Sequence, residues 1–412
     1  MTKRFLTAVV TTAAVLGGFT AAPALAAPTT PAAAAPAPAF AGLSSPIAVE
    51  LAQRLPEMRK VAADVQARLG SEDSQLRERI LDVIDPTDYE CPTANPPVLD
   101  AISAEIATWT ADQKLASAYV LIFDLVMKDA VYFPQPAGKF TYGAKGTYTK
   151  KATDTFSGLR KFWDIKSKDI QLVPAHGRML LDTARVTRVF TTLYGQPADL
   201  SLNTANFIKD QINNPAMKYG DQPAYTFNAY AFSAEGQPVP GVGTVGDKIV
   251  MGDGVLDGFG LVGLGDVTTQ AILAHEFGHH IQYEDGLFTS TLPAPEATRR
   301  TELMADSFSA YFLTHARGER MNWKRVQQFT AMFAQIGDCG FDGAGHHGTP
   351  NQRVKAALWG YGVAQAVWPR SLVLPSRVFA WLFEKHLPRL VAPDATDTTV
   401  LKAADEAATS VS

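Results

Sequence analysis

Apolar residues recur at helical spacing from Ile47 to Leu69 and the pattern stops at Gly70, which predicts an amphipathic helix closed by glycine. Thr110-Ala111-Asp112-Gln113 has the spacing of a capping box, and the apolar run Leu115 to Met127 follows it. Asp85-Pro86 and Asn95-Pro96-Pro97 break the chain between these helices. Residues 46 to about 130 are therefore expected to be helical. From 131 to 170 the pattern changes. Phe133, Phe140, Tyr142, Tyr148, Phe156, Phe162 and Trp163 alternate with Lys139, Lys145, Lys150, Lys151, Arg160, Lys161, Lys166 and Lys168. The expected structure is strands and turns with a lysine-coated outer face; the competing reading is a surface for an anionic or carbohydrate partner such as cell-wall polymer. Gln171 to Gly195 reads as a helix, and Tyr225 to Phe232 and Lys248 to Met251 as short strands. Strong helical patterns follow at about 267–285, 296–317 and 350–367, and residues 393–412 read as a polar tail.

The class is globular: hydrophobic residues make up 46% of the 412-residue chain and charged residues 19%. The formal net charge of −4 gives no reason to expect nucleic acid as a partner. Lys3 and Arg4 precede an apolar run from Phe5 to Thr20, and Ala24-Leu25-Ala26 offers small residues for cleavage. Residues 1–26 are thus expected to be a Sec-type signal peptide, whose removal takes two cations and moves the charge from −4 to −6. The product is expected to be secreted or periplasmic. No later stretch approaches the ~20 apolar residues of a membrane span, so no transmembrane segment is expected in the mature chain. Residues 27–45 form an Ala/Pro-rich linker. The expected division is then a helical and basic aromatic region at 46–170 and a catalytic domain at 171–392. In an oxidising compartment, Cys91 and Cys339 are expected to form a disulfide, with Cys91 as a thiolate plug on a metal the alternative.

The candidate chemistry lies in His275-Glu276-Phe277-Gly278-His279. Four residues apart on a helix, His275 and His279 project from one face and can share one tetrahedral Zn²⁺. Glu276 lies beside them, placed to take a proton from water. Gly278 allows close packing behind the helix, which Asp266 or Thr268 would cap and Gly286 would end. A catalytic zinc takes three protein ligands, and Glu302 is the third candidate. Asp306 shares its helix face and can orient a ligand histidine from behind. His346, His347 and Arg353, near a helix opened by Thr349-Pro350, are candidates for stabilising an oxyanion, with Tyr230 and Tyr311 weaker ones. His280 is expected to be structural, and His176, His315 and His386 are isolated.

Residues from about Tyr225 to Gly362 resemble the neutral zinc metallopeptidases, HExxH enzymes of the gluzincin type. The resemblance rests on His275-Glu276-Phe277-Gly278-His279-His280-Ile281-Gln282, Glu302-Leu303-Met304-Ala305-Asp306 and His347-Gly348-Thr349-Pro350-Asn351-Gln352-Arg353. Asn228-Ala229-Tyr230-Ala231 and Lys248-Ile249-Val250-Met251-Gly252 look like the strands before the active-site helix. Ser307 stands where that family often has cysteine. The resemblance implies an α+β, mainly helical chain with a zincin-like core and a small sheet, hydrolysing peptide bonds. An edge strand at 248–252 would pair with an extended peptide.

Rival readings are weaker. A non-catalytic envelope protein would need a closed metal site, with His346, His347 or Cys91 as fourth ligand. A di-iron carboxylate protein needs a second Glu-x-x-His motif, which the chain lacks. Gly258-Phe259-Gly260-Leu261-Val262-Gly263 fits a dinucleotide fingerprint but leads on into more glycine, so a flexible rim is expected there. Asp253, Asp257 and Asp266 miss the calcium-loop spacing and are expected in Asp-Gly turns.

Overall fold

The computed structural model describes residues 40–69, 96–337 and 347–391. The expected signal peptide, residues 27–39 of the linker, Cys91, Cys339, His346 and the tail 393–412 lie outside the described residues. The described residues form one compact unit, mainly helical with a small mixed sheet.

The N-terminal part is helical as its pattern predicts. Helix α1 spans Pro46–Leu69 and buries Leu51, Leu55, Met58, Ala62 and Val65 at helical spacing. After α2 (Pro97–Ile106), Thr110 and Gln113 form the predicted capping box of α3 (Ala111–Ile122). Helix α4 (Leu125–Tyr132) follows, buried throughout. Residues on both sides of position 170 share one core: Phe123 meets Phe190 and Tyr194 edge-on, with centroids 5.0 and 4.6 Å apart.

The stretch 131–170 is not built of strands. Its ordered element is helix α5 (Thr149–Phe162), which buries Ala152, Thr155, Leu159 and Phe162. Those four have helical spacing, a period masked by the aromatic and lysine interleaving around them. Most of the aromatics are core residues, Tyr142 and Trp163 among them. Gln171 to Gly195 is also not one helix. It opens with strand β1 (Gln171–Ala175), passes through a 3₁₀ turn, and becomes helix α6 (Thr183–Tyr194). Pro174 explains the difference, because it lacks an N–H and biases Val173 to extended backbone. Helix α7 (Ala198–Ile212) follows.

Strands β2 (Ala229–Phe232), β3 (Pro238–Val239), β4 (Gly243–Thr244) and β5 (Lys248–Gly252) come next. β5 is the centre of a three-stranded sheet, parallel to β1 and antiparallel to β2. It is therefore not the edge expected to receive a peptide; β2 is an edge. Two glycines of α8 (Asp253–Leu261) correct the flexible-rim reading. A Cβ on Gly254 would lie 2.0 Å from the Pro223 carbonyl oxygen, and one on Gly258 2.5 Å from the Phe227 ring. These glycines let a buried helix pack closely. Asp253 and Asp257 sit on that helix, not in turns: Asp253 Oδ2 accepts from His176 Nδ1 at 2.7 Å, and Asp257 accepts the Ala144 N–H at 2.9 Å.

Helix α9 (Gly265–Asp285) carries the HExxH motif, and α10 (Ala294–Thr314), α11 (Trp323–Gln335), α12 (Pro350–Ala366) and α13 (Ser376–Leu390) complete the unit. Neither Asp266 nor Thr268 caps α9. Its N-cap is Leu264, while Asp266 pairs with Lys151 at 2.8 Å and Thr268 donates to the Leu264 carbonyl. Gly286 ends the helix with φ 68°, as predicted. A Cβ on Gly278 would come 3.1 Å from Ala305 Cα, so Gly278 sets the approach of α9 and α10.

Candidate metal centre

Helix α9 turns His275, Glu276 and His279 toward one cleft of about 280 Å³. Helix α10 brings Glu302 to the same point. His275 Nε2 and His279 Nε2 are 3.1 Å apart, and each lies 3.3 Å from a different Glu302 oxygen. An ion with bonds of about 2.0–2.1 Å sets tetrahedral ligand atoms roughly 3.3 Å apart, so the spacing fits one small metal ion. His275, His279 and Glu302 form the one such three-residue group among the described residues.

Each imidazole is aimed from behind. Asp306 Oδ1 accepts from His275 Nδ1 at 2.9 Å, the role expected of it. Gln282 does the same for His279: its Oε1 lies 2.9 Å from Nδ1, while its Nε2 donates to the Thr301 carbonyl at 2.7 Å. In the neutral rings these bonds favour the proton on Nδ1 and leave the two Nε2 atoms facing each other as donors to a metal. Sequence reasoning missed Gln282, although its place three residues after His279 is a helical neighbour position that signals contact.

The acids are balanced rather than isolated. Arg353, at the start of α12, donates to Asp306 at 2.8 and 2.7 Å and lies 3.6 Å from Glu302. It lines the cleft, and Nε and Nη2 of its guanidinium are engaged by Asp306. Burial alone would raise the Glu302 pKa, but His347, His279 and hydrogen bonds from both ligand histidines hold it well below the usual carboxylate range. Burial likewise works against charge on His275, yet Asp306 and Glu302 raise its pKa to about 10. Glu276 behaves oppositely. Burial raises its pKa, and the nearby histidines and the Ala231 N–H offset this only in part. The edge strand β2 therefore meets Glu276 through its backbone.

The other candidates separate cleanly. Tyr230 and His347 line the cleft. Tyr311 does not: its hydroxyl accepts the Leu374 N–H at 3.0 Å. His280 donates from Nε2 to the Lys248 carbonyl at 2.9 Å and ties α9 to β5. His315 is satisfied by Leu372 and Arg317, and His386 stacks on Trp359. His176 is paired with Asp253, so it is less isolated than its sequence position implies. Two phenylalanines unforeseen from sequence flank the ligand rings, Phe333 at 6.1 Å from His275 and Phe288 at 6.3 Å from His279. Comparison of the chain with protein-family models, curated proteins and solved structures finds no match.

Proposed function

We propose that this chain is an exported zinc-dependent metallopeptidase of the gluzincin type, with a zincin-like core. The observation that carries the reading is the convergence of His275, His279 and Glu302 on a cleft that also holds Glu276 and edge strand β2. Two imidazoles and one carboxylate are a donor set suited to zinc with an open position. Bound zinc supplies Lewis acidity toward a carbonyl and a more acidic water. Glu276 accepts the proton of the attacking water at its carboxylate and passes it to the leaving nitrogen. Its raised pKa makes it a stronger base toward that water than an exposed carboxylate. β2 has one side free of strand partners among the described residues, so an extended peptide can pair with it beside Glu276. Tyr230 and His347 are the cleft groups suited to an oxyanion.

A structural metal site in an envelope scaffold is the competing reading, and it calls for a fourth protein ligand. The described residues supply three. The deciding experiment compares wild type with Glu276→Gln on a general peptide substrate. Hydrolysis should fall by about 10²–10⁴-fold while bound zinc stays at one per chain. Full activity in the variant rejects this role for Glu276.

A further inference from the structure

A groove of about 750 Å³ lies beside α5 and shares no lining residue with the cleft. Phe156 of α5 forms part of its wall and packs edge-on against Phe277 at 6.3 Å, next to Glu276 in sequence but on another face of α9. Four exposed cations line this groove: Arg160, Lys161, Lys166 and Lys168. Its lining contains one acid, Asp169, which with nearby Glu284 marks one end.

The pairing of charges along α5 is uneven. At its start, Lys150 pairs with Asp154 and Lys151 with Asp266. At its end, none of the four groove cations has an ion-pair partner among the described residues. Arg160 lies over the Phe156 ring at 5.5 Å, and nearby Asp164 is occupied by the Ser376 N–H at 2.9 Å. A chain of net charge −4 thus gathers four cations around one concavity whose lining holds a single acid. Such a site focuses an attractive field on anions.

We infer that this groove docks a linear, phosphate-bearing polyanion. Arg160 offers a fork for phosphate oxygens, and the three lysines serve as mobile point charges along a chain. The concave shape favours a strand over a lipid surface. A membrane-binding face would also present protruding apolar side chains, whereas Phe156 and Ile165 are partly buried in the groove. Docking here leaves the cleft uncovered, so the groove can hold the protein on a polymer while the cleft stays open.

Linear inorganic polyphosphate is the probe, with the full chain titrated across a range of salt. Four contacts at about 0.7 per charge predict a slope of roughly −3 in log affinity against log salt. The double variant Lys161→Gln/Lys166→Gln should keep its melting temperature, bind about 10-fold or more weakly at low salt, and show a slope near −1.4. Lys139→Gln/Lys145→Gln removes the same charge from the same stretch outside the groove and should bind as wild type. The proposal is overturned by an absence of salt-dependent binding, by equal losses in both double variants, or by binding to phosphatidylglycerol vesicles without binding to polyphosphate.

Discussion

Two side chains that never reach the cleft floor decide how its imidazoles point. Asp306 holds His275, and Gln282 holds His279 while bonding α10 through the Thr301 carbonyl. Loss of such a partner generally costs 10–100-fold in metal affinity. Gln282→Leu should weaken zinc binding by about that factor, because Nδ1–H of His279 loses its acceptor in a buried site. Gln282→Glu retains an acceptor and should recover most of the affinity. Competition with a chromophoric chelator reads both. Equal affinity in Gln282→Leu and wild type would show that the amide is mere packing. Asp306→Asn is the harsher change, since it also removes the charge that Arg353 balances at 2.7 and 2.8 Å.

Helix packing fixes the distance between those residues. Ser307 on α10 faces Gly360 on α12, where an added Cβ would stand 2.3 Å from the Ser307 carbonyl oxygen. Gly360→Ala must push α12 away and carry Arg353 from Asp306. A loss of about 1–3 kcal/mol in stability is expected, together with weaker metal binding. Chemical denaturation and zinc titration of one variant test both, and a loss of stability with unchanged zinc affinity would uncouple α12 from the site. The helices at this level were legible where helical spacing met a capping box, as for α3 and α12, or a closing glycine, as for α9. The ligand trio and Asp306 were legible for the same reason, since helical spacing alone puts each pair on one face. What was not legible depended on distant partners. β1 is a strand because β5 lies beside it, and β5 is central because both β1 and β2 claim it. The glycines of α8 read as a loop until Phe227 and Pro223 show why side chains are excluded. The pairing of Arg353 with Asp306 was not legible either, because sequence gives no hint that the two meet.

At the scale of the whole molecule, the site is a joint between α9 and α10 inside a core that is already extensive. Leu273, Phe277, Ile281, Leu303, Met304 and Phe308 are buried to within 1% on those two helices alone. Gln282 and Arg353 further tie the elements together by hydrogen bonds that need no ion. The metal-free chain should therefore remain folded, and bound zinc should add stability only by mass action. At a free concentration 100 times its Kd the gain is about 2.7 kcal/mol. For a domain of this size that corresponds to a fall of roughly 4 °C in Tm when a strong chelator is added. Glu302→Ala, with one ligand gone, should show little response to the chelator. Calorimetry separates the cases. Outright unfolding on chelation would mark the ion as a structural element and favour the scaffold reading. No shift in the wild type would mean that the trio holds no metal. A moderate, cooperative shift that disappears in Glu302→Ala is the behaviour of an ion held by a preformed site that includes Glu302.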